Sequence, residues 1–80
     1  MEKIEVTARF DTQGQIIPLS FVWNGRVYRP ESIGRGWQAD DGFHILVMDQ
    51  KNQAFHLLFS HEMMNWYLLR GSNEPTVPLV

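Results

Sequence analysis

Residues 21–30 read Phe-Val-Trp-Asn-Gly-Arg-Val-Tyr-Arg-Pro, and the Asn24-Gly25 pair at their centre constrains the chain more than any other feature. A type I′ turn needs positive φ at both central residues, and Asn-Gly tolerates that best. A two-residue turn also sets the register of its strands. Trp23 should face Arg26, Val22 should face Val27, Phe21 should face Tyr28 and Ser20 should face Arg29. Phe21 and Tyr28 then share an apolar face. Trp23 and Arg26 close its turn end, where a cross-strand cation–π pair would contribute about 0.5–1 kcal/mol.

The alternation extends in both directions. Ile4, Val6, Ala8 and Phe10 alternate with polar residues, and Asp11 to Gln15 is turn material around Gly14. Ile17, Leu19, Phe21 and Trp23 alternate again. Pairing Phe10 with Ile17 and Val6 with Phe21 places both apolar faces together. Pro18 cannot donate to a ladder, so an edge or a bulge is expected there. The two glycines of Ile33-Gly34-Arg35-Gly36-Trp37 predict a bulge or bend before a short strand resumes at Trp37. Asp40-Asp41-Gly42 is a turn. Asp49 to Asn52 is a second one, with Asn52 left-handed, and it pairs Val47 with Phe55, Ile45 with Leu57 and Phe43 with Phe59. Ser60 to Asn65 fits either a helical turn capped by Ser60 or a loop. Trp66 to Arg70 is a last strand, ended by Gly71.

The expected fold class is all-β: a small, six-stranded antiparallel meander with little or no helix, curled into an open barrel or roll around Val6, Phe21, Tyr28, Trp37, Ile45, Leu57 and Trp66. With 80 residues there is room for one domain, read as a β domain over 1–71 with a loose tail over 72–80. The chain has no cysteine to staple it, so packing must hold it, and 44% hydrophobic residues supply a core.

Phe21, Trp23, Gly25, Arg26 and Tyr28, the spaced Trp37, the apolar run Phe43 to Val47 and the closing Trp66-Tyr67-Leu68 form a pattern that resembles a family of short bacterial β domains of unknown function. Its pattern runs F-x-W-x-G-R-x-Y, a spaced Trp, an apolar strand and a closing W-x-L, over roughly residues 17–70. The resemblance implies an accessory role beside lesion-bypass DNA polymerases. It carries no catalytic residues.

A formal net charge of −2 argues against a duplex-DNA binder. The N-terminus has no signal-like apolar run and no segment approaches a membrane span, so a cytoplasmic location and no membrane partner are expected. His44 and His56 should lie diagonally on one face, with His61 unplaced. Zinc needs three or four converging ligands, so these read as strand histidines; no metal and no cofactor are expected. Asp40 and Asp41 beside Gly42 read as turn residues, no nucleophile has a base, and no enzyme is expected. Arg26, Arg29, Arg35 and Trp37 interleave cations with aromatics, which supports an alternative as a single-stranded nucleic-acid-binding accessory domain. The leading expectation rests on His44, Leu46, Met48, His56 and Leu58, a second face too apolar to be fully solvated. It is a non-catalytic protein-interaction module that self-associates as a homodimer.

Overall fold

The computed structural model describes residues 2–70; the expected tail at 72–80 lies outside the described residues. Seven strands form one antiparallel sheet: β1 (Glu2–Phe10), β2 (Ile16–Trp23), β3 (Arg26–Tyr28), β4 (Ser32–Ala39), β5 (Gly42–Met48), β6 (Ala54–Ser60) and β7 (Asn65–Arg70). The expected six become seven because Ser32–Ala39 is a full strand rather than a short resumption at Trp37.

The sheet order is β3-β2-β1-β7-β6-β5-β4. Consecutive strands pair throughout except at one place. β3 and β4 are neighbours in sequence, yet they form the two opposite edges, and β1 pairs with β7 instead. The fold is therefore an up-and-down half-barrel, closed between first and last strands and open along a seam between β3 and β4. Chain chemistry accounts for the position of the seam. Pro30 lies in the Arg29–Glu31 link, where it offers no backbone donor and holds its predecessor extended. Glu31 then donates its backbone N–H to Met48 O at 2.7 Å, which commits the chain to β5.

The hairpin registers match expectation at both turns. Phe21, Val22 and Trp23 face Tyr28, Val27 and Arg26 around Asn24, at φ 53°, and Gly25, at 75°. Val47, Ile45 and Phe43 face Phe55, Leu57 and Phe59, with Asn52 left-handed at φ 62°. The segment after Ser60 satisfies both options left open for it. It is a hairpin loop shaped as one helical turn, in which Ser60 Oγ accepts from Met63 N and Ser60 O from Met64 N.

Bulges correct the expectations elsewhere. Thr7 faces Ser20 but Ala8 faces Pro18, so Leu19 is an extra residue. A one-residue insertion inverts facing for everything beyond it. Pro18 turns inward and is buried, Leu19 turns out, and Phe10 pairs with Ile16 rather than Ile17. Similarly, Ile33 faces Val47 but Gly36 faces Ile45, leaving Gly34 and Arg35 opposite Leu46. Ile33 thus keeps the core-facing parity, while Trp37 falls on the opposite face beside His44. Trp37 is not a core residue.

The core on the concave face consists of Ile4, Phe21, Ile45, Val47, Phe55, Leu57, Trp66 and Leu68. Phe55 on β6 reaches across to rings on β2 and β3, with centroids 5.1 Å from Phe21, 5.2 Å from Tyr28 and 6.0 Å from Trp23. Since β6 does not neighbour either strand, these contacts are what curl the sheet. Trp23 Nε1 donates to Glu2 Oε1 at 3.1 Å. Arg26 lies 5.2 Å over Tyr28 rather than over Trp23: residues two apart on a strand share a face, and the guanidinium settles on the ring beside it.

Candidate functional site

The convex face gathers the titratable side chains of β4–β6. His44 and Trp37 are direct cross-strand partners, and His56 is diagonal to His44 in the β5–β6 ladder. Pairs at these positions are within side-chain reach. The indole and the His44 ring stack in parallel, 5.1 Å between centroids at 7°, and His56 tilts against both rings. Arg35 places its guanidinium 5.0 Å from the Trp37 ring. The Gly34–Arg35 bulge creates this stack, because an unbroken ladder would keep Trp37 on the face of Ile33.

A hydrogen-bonded chain runs through the cluster. Asp41 Oδ1 lies 2.8 Å from His44 Nε2, and His44 Nδ1 lies 2.9 Å from His56 Nε2. A carboxylate can only accept, so His44 Nε2 carries the proton toward Asp41. In the neutral ring Nδ1 is then the acceptor, and His56 Nε2–H donates to it. The turn at Asp40–Asp41 supplies the anchoring carboxylate three residues before His44, a pairing the spacing alone does not reveal.

The His44 hydrogen bond, opposed by partial desolvation, holds the Asp41 carboxyl below its ordinary value of 3.8. A depressed carboxyl contributes stability above its unfolded-state pKa and loses that contribution as pH falls through the folded one. Urea midpoints of the wild type and Asp41→Asn should therefore differ by a small amount at about pH 5, where the Asp41 carboxylate is charged. They should converge below pH 3.8. A difference unchanged at acid pH would mean that the charge on Asp41 contributes nothing.

His61 does not join the cluster. Its ring lies edge-on to Phe59, 6.4 Å away, on the concave side. Among the described residues no group of three or more His, Cys, Asp or Glu converges as a metal set. The residues expected to form an apolar interaction face do share the convex side, but they offer less open surface than their composition suggests: Leu58 is 2% exposed and His44 8%, with Leu46, Met48 and His56 half-buried. The arginines do not line one groove. Arg26 sits on the concave side with Tyr28, Arg35 on the convex side with Trp37, and exposed Arg29 in the link between their strands.

A second feature is the seam. A cleft of about 310 Å³ opens there, bordered by Gly14 to Ile17 at the start of β2 and by Ile33, Gly34, Gly36 and Gln38 of β4, with Phe43 and Ile45 as its floor. Its volume is at the low end of the ~300–1,000 Å³ range of ligand pockets. The Phe43 ring lies close over Gly36, where a Cβ would approach it to 2.8 Å.

Family models, characterised proteins and solved structures were all searched, and none matches this chain. No helix among the described residues is long and apolar enough to cross a membrane.

Proposed function

We propose that the protein is a non-catalytic protein-interaction module that accepts an extended, apolar, uncharged segment of a partner along β4, where the segment fills the seam. The observation that carries this is the contrast between the two edges of the sheet. β3 has three residues and runs into Pro30; β4 has eight, and seven of them are exposed. Exposed strand edges present unpaired N–H and C=O groups and are templates for added strands.

Of the six large apolar residues exposed among the described residues, three lie beside the seam, the others being Phe10 at the end of β1 and Met63 and Met64 in the β6–β7 loop. The three are Val27 on β3, Leu19 on β2 and Ile33 on β4, all on the strands bordering the seam. A strand hydrogen-bonded to β4 sends alternate side chains inward, toward the Ile16, Ile33 and Ile45 lining. Self-association through the Leu46, Met48 and Leu58 face is the weaker form of the interaction reading, because Leu58 is already closed off. Nucleic-acid binding draws less support, because Arg26 and Arg35 each lie over an aromatic ring of their own and point to different faces.

Selection from a phage-displayed random peptide library tests the proposal. Enriched peptides should be extended alternations of Val, Ile, Leu or Phe without central charge. Ile33→Lys, at a position 43% exposed, should weaken their binding at least tenfold, and Glu5→Lys on β1 should leave it unchanged. Light scattering provides the second arm. A wild-type dimer dispersed by Leu46→Lys but not by Ile33→Lys would replace the proposal with self-association through the convex face.

A further inference from the structure

The geometry points to a two-histidine site for a divalent transition ion, Cu(II) or Ni(II), between His44 Nδ1 and His56 Nε2 on the convex face. This is independent of the β4 edge. Three observations carry it. The first is convergence: the two ring nitrogens lie 2.9 Å apart and point at one another across adjacent strands.

The second is the distance itself. Imidazole nitrogens bind these ions at about 2.0–2.1 Å, so two of them at right angles stand about 2.9 Å apart, whereas at a tetrahedral angle they stand about 3.3 Å apart. The 2.9 Å spacing is that of the hydrogen bond between the rings. An ion that takes the two nitrogens as adjacent corners of a square-planar or tetragonal set, as Cu(II) and Ni(II) do, leaves them about that far apart, whereas tetrahedral zinc needs them about 3.3 Å apart. The ion sits off the line joining the nitrogens, and the Nε2 proton of His56 shifts to its Nδ1, so that both rings ligate as neutral imidazoles. With His44 held by Asp41 and Trp37, His56 makes the adjustment by rotating about χ2, a soft torsion for histidine.

The third is the orienting group. A ligating histidine nearly always donates its other N–H to a carboxylate or carbonyl, which fixes its tautomer and ring plane. Asp41 does this for His44 at 2.8 Å. It holds the proton on Nε2 and keeps the Nδ1 lone pair directed at the site. Trp37, stacked on His44, blocks one side of the ring and holds it in place. No third His, Cys, Asp or Glu of the described residues converges with the pair, so the chain supplies two ligands and leaves the remaining positions to water or to an external donor.

The test is a calorimetric titration of untagged protein with CuCl2 in a weakly coordinating buffer, with electron paramagnetic resonance of the loaded sample. One equivalent should bind, giving an axial spectrum with superhyperfine splitting from two nitrogens. His44→Gln and His56→Gln should each abolish that uptake, and His61→Gln should leave it unchanged. Asp41→Asn, acting through His44, should weaken it about 10–100-fold. Absence of saturable uptake, uptake unaffected by both His44→Gln and His56→Gln, or a wild-type spectrum without coupling to two nitrogens would each overturn the site. The spectrum decides the matter even if a histidine variant does not fold.

Discussion

Gly42→Ala should remove a large share of the protein's stability. Gly42 opens β5 immediately after the Asp40–Asp41 turn, at φ +146°, where an L side chain is rarely found. A Cβ there would stand 2.1 Å from Phe59 O, with Phe59 C and Ser60 Cα each at 3.0 Å. All three are backbone atoms of β6, so no rotamer change can make room. The β5–β6 ladder would have to separate at the end where Gly42 pairs with Ser60. Overpacking costs about 1–3 kcal/mol or more, and an unfavourable backbone region adds about 1–2. A domain of this size has about 4–12 kcal/mol in total. Gly14→Ala is the matched comparison: its φ is +81°, but a Cβ there meets nothing within 4 Å. Urea denaturation should show Gly14→Ala losing about 1–2 kcal/mol and Gly42→Ala losing several kcal/mol more than that. Equal losses would show that conformation alone, not the closeness of β6, makes glycine necessary at position 42.

The same backbone logic explains which parts of the structure are legible in the sequence. Where a turn has a definite chemistry, as at Asn24-Gly25 and at Asp49 to Asn52, register follows from it, and every pair across those turns within the strands is as the spacing predicts. His44 and His56 fall on one face for the same reason. Bulges are different, because a single unpaired residue leaves no mark in composition yet inverts facing for the rest of the strand. Pro18 signals that something breaks there, but not that Leu19 is the residue left over. The two glycines flanking Arg35 signal a bend, but not that it moves Trp37 from the core to His44. The Asp41–His44–His56 chain escapes sequence reasoning because Asp41 belongs to a turn, where aspartate ordinarily satisfies its own backbone.

The seam also follows from local chemistry. Seven strands in up-and-down order close at β1–β7, and one more pairing, between β3 and β4, would complete a barrel without edges. Pro30 and the early commitment of Glu31 to Met48 leave that pairing unmade. The fold therefore keeps one long free edge, β4, which is interrupted by the Gly34–Arg35 bulge. Natural sheets protect such edges with charge, proline or brevity. β3 has brevity and a proline beside it; β4 has one arginine, and its guanidinium lies over Trp37. An edge left this open fits a strand that is completed by a partner.

Phe55→Ala should cost about 3–5 kcal/mol, the range for truncating a buried phenylalanine. The loss should be unevenly distributed over the sheet. Phe55 is 1% exposed, and its ring touches Phe21, Trp23 and Tyr28 on the far arm. In the ladder, β2 and β3 are joined to the remaining strands only through β1. Removing the ring leaves a cavity at the point where the sheet curls back on itself, while the β5–β6 and β6–β7 ladders keep all their hydrogen bonds. Native-state hydrogen exchange should therefore show protection falling furthest at Phe21 to Tyr28, and least at Ile45 and Leu57. Phe55→Leu, which retains most of the volume, should cost much less and preserve the ranking. If exchange instead accelerates evenly over all seven strands, the two arms form one cooperative unit. The curl would then be held by the core as a whole rather than by the Phe55 contacts.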